Sequence, residues 1–252
     1  MAKDDELDTL LRDPRMTNKD FGDLYEALGI KTGTALPERV EFISKEIRHN
    51  YGHTIANLWR EWYDPDYEEI VRATAKKLKI PVKDSNSLEE LERKILVEII
   101  EAAREQIIKE KGEQAWKDIE KSVEEEIKRL IAEGKIPAHI ADEFTQLRGA
   151  ALMAGLFAGR FAGFALYIFA NQIIFAIGRL LSVTLSVFIV GPIIGRTLAF
   201  LLGPVGWLLS GLLVAFDLGD TNWRKVIPAL TMVILLRLRF KSGDDYSDLT
   251  PA

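Results

Sequence analysis

Between Gly149 and Phe216 the chain carries no acidic residue and three basic ones, Arg160, Arg179 and Arg196. Two uncharged runs lie inside this stretch, 18 residues at 161–178 and 20 residues at 197–216. As helices these runs span roughly 27–30 Å, the thickness of the hydrocarbon layer of a bilayer. A helix that is apolar on every side either sits at the centre of a large core or faces lipid. The reading of fold and function turns on that alternative.

The remainder of the 252 residues has the opposite character. Residues 1–148 hold 25 Lys/Arg and 33 Asp/Glu, a net of −8, and residues 217–252 hold five of each sign. An acidic surface repels phosphate, so no nucleic-acid partner is expected. There is no cysteine, hence no disulfide framework and no thiolate chemistry. The first thirty residues contain no apolar run of signal-peptide length and read as cytosol-facing.

The acidic half is helical by periodicity. Pro37 opens a segment to about His49 with Val40, Ile43 and Ile47 on one face. Asp64 and Pro65 form an N-cap and first-turn pair for a helix whose stripe is Tyr67, Ile70, Val71, Thr74 and Leu78. Ser87 and Glu90 make a capping box ahead of a helix running to about Lys111. After Gly112, Trp116, Ile119, Val123, Ile127 and Leu130 recur at helical steps. Glu124, Glu125 and Glu126 read as a solvated face, and the segment after Pro137 as a hinge.

The fold class is therefore all-α: an acidic amphipathic bundle over 1–148, a hydrophobic glycine-rich hairpin over 149–221, and a C-terminal helix and tail over 222–252. One arm of the hairpin covers about 155–178 and the other about 193–218, with breaks at Gly191-Pro192 and Gly203-Pro204. Gly155, Gly159 and Gly163 form two overlapping GxxxG steps that share one face of a continuous helix, a close-packing surface in lipid or in a bundle. Arg160, Arg179 and Arg196 mark the ends of successive apolar blocks, where long side chains snorkel to water. The polar pair Asn171-Gln172 marks a helix–helix contact, a pore lining or a bend. Trp207, Trp223, Arg224, Lys225, Arg237 and Arg239 are expected as interface anchors, and the cations after 222 place that end in the cytosol. Both flanks on one side require an even number of crossings.

Two stretches carry a family resemblance. YGHTIANLWREWYDPDYEEIVRATAKKLKI with LEELERKILVEII, and LLGPVGWLLSGLLVAFDLGDTNWRKVIPALTMVILLRLR, resemble the YaaW-like bacterial proteins, an uncharacterised family sometimes grouped with ubiquinol–cytochrome c chaperone-like sequences. The resemblance covers roughly 45–110 and 150–240. It implies a mostly helical protein with an apolar C-terminal half and carries no catalytic residue.

Other constellations are thin. His49 and His53, with Glu46, lack the order of a zinc motif, and His139 stands apart, so no metal is expected. Trp59, Trp62 and Tyr63 form either a docking patch or bundle core. No nucleotide loop, nucleophile elbow or triad is present, and no enzyme or cofactor is expected. The first reading is a non-enzymatic protein of the inner (cytoplasmic) membrane with its N-terminal domain in the cytoplasm. Its partners are the lipid bilayer, further copies of itself as a homo-oligomer, and an unknown protein. Its sharper form is pore-forming or membrane-perturbing. The alternative is a soluble cytoplasmic interaction or assembly factor whose apolar half is its own core.

Overall fold

The computed structural model describes residues 5–30, 39–52, 64–147, 149–186 and 222–241. Among them are ten α-helices and no strand, so the all-α class holds: α1 (Glu6–Leu11), α2 (Asn18–Ala27), α3 (Arg39–Tyr51), α4 (Tyr67–Lys77), α5 (Leu88–Lys111), α6 (Glu113–Ala132), α7 (Ala138–Thr145), α8 (Ala150–Phe157), α9 (Gly163–Ser186) and α10 (Trp223–Phe240). They fall into two compact units. The first comprises Met1–Ile95 and Leu212–Arg237, and the second Leu96–Gly211 and Leu238–Ala252. The division lies inside α5.

In the first unit, local signals start the helices. Asp5 caps α1 by accepting the Leu7 and Asp8 N–H groups. Thr17 and Asp20 close a reciprocal capping box on α2. The cap of α4 is Asp66, which accepts the Glu69 N–H at 2.8 Å. Asp64, the expected cap, is exposed two residues upstream, and Pro65 is buried with its carbonyl turned to Arg48. The α4 stripe of Tyr67, Ile70, Val71, Thr74 and Leu78 is buried as its spacing predicts. Helices α1 and α2 both pack on α3.

Helix α10 belongs to this unit as far as Arg237 although it lies at the far end of the chain. Its attachment is specific. The Asn222 N–H donates to the Asn50 carbonyl at 3.0 Å, and the two side-chain amides pair at 3.1 Å. The Trp223 ring meets Tyr51 edge-on at 6.2 Å. The helix runs through Pro228.

The second unit is organised by α6. Its five-residue apolar stripe, Trp116 to Leu130, is buried. Among the described helices the most extensive pairing is that of α6 with α9, and α6 also packs on α7 and α8. The expected hinge after Pro137 is a helix, α7, with Ile140, Ala141 and Phe144 buried.

Candidate functional site

The apolar helix α9 is the feature with the clearest functional content. Gly163–Leu180 is an 18-residue stretch long and apolar enough to cross a membrane, and 72% of it is buried inside the protein. Every residue from Phe164 to Ala170 is buried. The C-terminal half leaves Asn171 and Phe175 half-buried and Arg179 exposed, a line at four-residue steps. Phe169 meets Phe161 at 5.1 Å and Phe144 of α7 at 6.2 Å, so an aromatic cluster ties the start of α9 to its neighbours.

The expected first hairpin arm is two helices. Ala158 caps α8. The Gly159 N–H then donates to Leu156 and the Arg160 N–H to Gly155, both at 2.8 Å. This paired pattern with φ of +71° at Gly159 is a Schellman C-cap, which stops a helix. Gly163 opens α9 at φ of +53°. Gly155, Gly159 and Gly163 therefore do not share a helix face. Gly155 is a close-approach site: an added Cβ would lie 3.0 Å from Leu147 Cδ1 and 3.4 Å from the Phe161 ring.

Two of the block-end arginines, Arg160 and Arg179, are engaged by protein. Arg160 is exposed and donates to Gln146 Oε1 at 3.1 Å. Arg179 is exposed, and its charge acts with that of Arg129 on Glu126, whose carboxyl lies below its ordinary value chiefly through its hydrogen bond with Arg129. Glu124 accepts the Gly149 N–H at 2.7 Å and pairs with Lys128. The expected solvated face of α6 thus contributes two of its three glutamates to the apolar region, while Glu125 stays exposed. Gln172 is 2% exposed, and among the described residues its Oε1 has no hydrogen-bond partner.

Of the expected interface anchors of α10, Trp223, Arg237 and Arg239 are enclosed by the protein. Trp223 is 9% and Arg239 4% exposed, and Arg237 is nearly as enclosed. Arg239 lies over the Phe240 ring at 4.5 Å, and Lys225 is half-buried. Arg224 lies on the first turn of α10. Arg196, Trp207, Trp59, Trp62, Tyr63 and His53, with the second hairpin arm, lie outside the described residues. His49 and His139 are exposed, and Glu46 is bonded to Asn50. Among the described residues no three potential metal ligands come together.

A buried ionic network that sequence reasoning missed joins the helices of the first unit. The Arg48 guanidinium, 6% exposed, donates to Asp8 at 2.8 Å, to Asp5 at 2.9 Å and to the Pro65 carbonyl. Asp5 also accepts the Tyr67 N–H at 2.7 Å. Burial pushes the Asp5 carboxyl up, but the Tyr67 N–H and the Arg48 charge together outweigh it and leave it below its ordinary value. The Tyr67 hydroxyl donates to Glu92 at 2.8 Å, and Glu92, 1% exposed, lies 2.6 Å from Arg237 Nε in a close ion pair. The Arg237 guanidinium stands 5.1 Å from the Tyr67 ring centroid. Burial, then the Glu92 charge, holds the Tyr67 hydroxyl well above its usual value, so it stays a donor.

No protein-family model matches the chain, and no solved structure matches it. Curated proteins from Helicobacter pylori do. A UPF0174 protein of strain 26695 is 24% identical over 201 residues, covering 79% of this chain and 88% of that protein. A UPF0174 protein of strain J99 is 23% identical over 180 residues, covering 71% of this chain and 63% of its own length. A UPF0174 protein of that strain also matches at 38% identity over a 47-residue segment. The name YaaW is not among those these relatives carry; they are proteins of uncharacterised activity, and this chain is a helical protein similar to them.

Proposed function

We propose that the chain is a non-enzymatic, membrane-associated helical protein that meets the bilayer through its apolar C-terminal half, within the YaaW-like group its motifs resemble. The observation that carries this reading is α9: it is long enough to span the hydrocarbon layer and its charge is confined to Arg179, near the end of the apolar stretch. Helix α6, whose apolar stripe is buried, packs on α9, which supports an arrangement in which the apolar helix is sheathed by an acidic one when it is away from lipid. The buried carboxylates of the first unit are occupied by arginines and backbone N–H groups, which supports a structural rather than a catalytic role for them. The shared unit of α10 with α1–α4 supports an even number of crossings between them. Pore formation draws no support from the described residues.

The 72% burial of the spanning stretch favours a second reading, a soluble assembly factor with α9 as its core helix. Separation of cells expressing the full chain into soluble and membrane fractions, followed by an alkaline carbonate wash, tests the two. The membrane reading expects a carbonate-resistant pool. A chain found wholly in the soluble fraction, and monodisperse without detergent, overturns it.

A further inference from the structure

From Ile70 to Lys83 the chain carries five cations, Arg72, Lys76, Lys77, Lys79 and Lys83, and no acid, inside an N-terminal half whose net charge is −8. Lys76, Lys79 and Lys83 are exposed. Arg72 is held by Glu68 at 2.6 Å and by the Asn86 carbonyl, so it belongs to the local architecture.

Two of these local choices run against backbone preference. Helix α4 ends in the same paired pattern as α8: the Lys79 N–H donates to Lys76 and the Ile80 N–H to Ala75. Helices α2, α6 and α8 place Gly29, Gly134 and Gly159 at that left-handed position, whereas α4 places Lys79 there at φ of +61°. A lysine in that conformation is strained where glycine is not. The first turn of α10 has no acidic residue and carries Arg224 and Lys225, although a helix N-terminus favours anions. The two positions are brought together by Trp223, whose ring lies 5.9 Å from Lys77 Nζ. The apolar segment ends at Phe216, and six residues, Asp217 and Asp220 among them, separate it from Trp223 in the chain.

We propose that the end of α4 and the start of α10 form a cationic face, with Lys76, Lys79, Lys83 and Lys225 as its contacts, that rests on an anionic lipid surface. The inference rests on the membrane reading and names the surface chemistry that goes with it. Helix α10 follows the apolar segment after six residues of chain, so insertion and headgroup contact reinforce each other. Each lysine near an anionic bilayer contributes about a fivefold gain in partitioning, and the attraction fades within a Debye length as salt rises.

The test is flotation of the full chain with phosphatidylcholine vesicles, with and without phosphatidylglycerol. Wild type is expected to prefer the anionic vesicles and to lose that preference at high salt. The triple variant Lys76→Gln/Lys79→Gly/Lys83→Gln is expected to fall on the order of a hundredfold in partitioning to them. Lys79→Gly alone separates charge from structure: it should raise the unfolding temperature by relieving strain while weakening anionic binding about fivefold. Equal partitioning of wild type and triple variant overturns the cationic face and leaves the membrane reading standing. Absence of binding to either vesicle overturns both. Release from vesicles by soluble polyphosphate at matched phosphate concentration overturns lipid as the occupant.

Discussion

Substituting Arg48 by methionine removes a cation that faces both Asp5 and Asp8. Asp8 is 2% exposed and would lose the guanidinium that it accepts from at 2.8 Å. Breaking a buried pair from one side costs about 3–5 kcal/mol. In a chain of this size that lowers the unfolding midpoint by roughly 6–20 °C, at about 2–4 °C per kcal/mol. Denaturant unfolding followed by far-ultraviolet circular dichroism measures it. Two controls sharpen the reasoning. The double variant Arg48→Met/Asp8→Leu should recover part of the loss, because the stranded charge goes with its partner. The deficit of Arg48→Met should also narrow in acid, as the stranded Asp5 carboxylate takes up a proton. In the wild type the folded Asp5 carboxyl lies below its ordinary value of 3.8, so its contribution is present above 3.8 and is lost as pH falls through the lowered value. A loss under about 1 kcal/mol at neutral pH would refute the buried-network argument.

Tyr67→Phe removes the hydroxyl bond to Glu92 and leaves the Arg237 pair in place; a loss of about 1.5–3 kcal/mol is expected in the same unfolding experiment. Ile127→Asp puts an unpaired charge into the buried stripe of α6, the helix that packs on α9, and should cost about 4 kcal/mol or more, with a rise in apolar dye binding as its second readout. Gly159→Ala forces a side chain into the left-handed turn after α8 and should cost about 1–2 kcal/mol by thermal melting. Burial, with Glu69 adding to it, raises the Tyr51 hydroxyl to about 12, so ultraviolet titration should show a late tyrosine, and its contribution to stability should decline as pH rises from 10 towards 12.

The amphipathic helices were legible because their information is local. The stripes of α4 and α6 recur at helical spacing, and every residue of both stripes is buried. The Asp64-Pro65 cap was displaced by two residues because Asp66 offers the same chemistry and the Pro65 carbonyl is claimed by Arg48. The GxxxG reading failed because glycine serves both close packing and left-handed turns; the bonds from Gly159 and Arg160 chose the turn. Glu92 was invisible as a core residue. Its neighbours Leu91 and Ile95 announce a buried face, but what makes a carboxylate tolerable there is an arginine at position 237. Periodicity does not encode a partner so far along the chain. The inward direction of Trp223 and Arg239 was hidden for the same reason.

The bond between Asn50 and Asn222 bridges 172 positions. A ribosome making 5–20 residues per second takes roughly 6–26 s to travel from Ile95 to the start of α10. During that interval Tyr67 and Glu92 have emerged and their cation has not been made. The first unit is therefore completed last, after the hydrophobic stretch has left the exit tunnel. The nascent protein must keep its half-built bundle and its greasiest segment in solution, or deliver the latter to a membrane, before the final helix closes the fold.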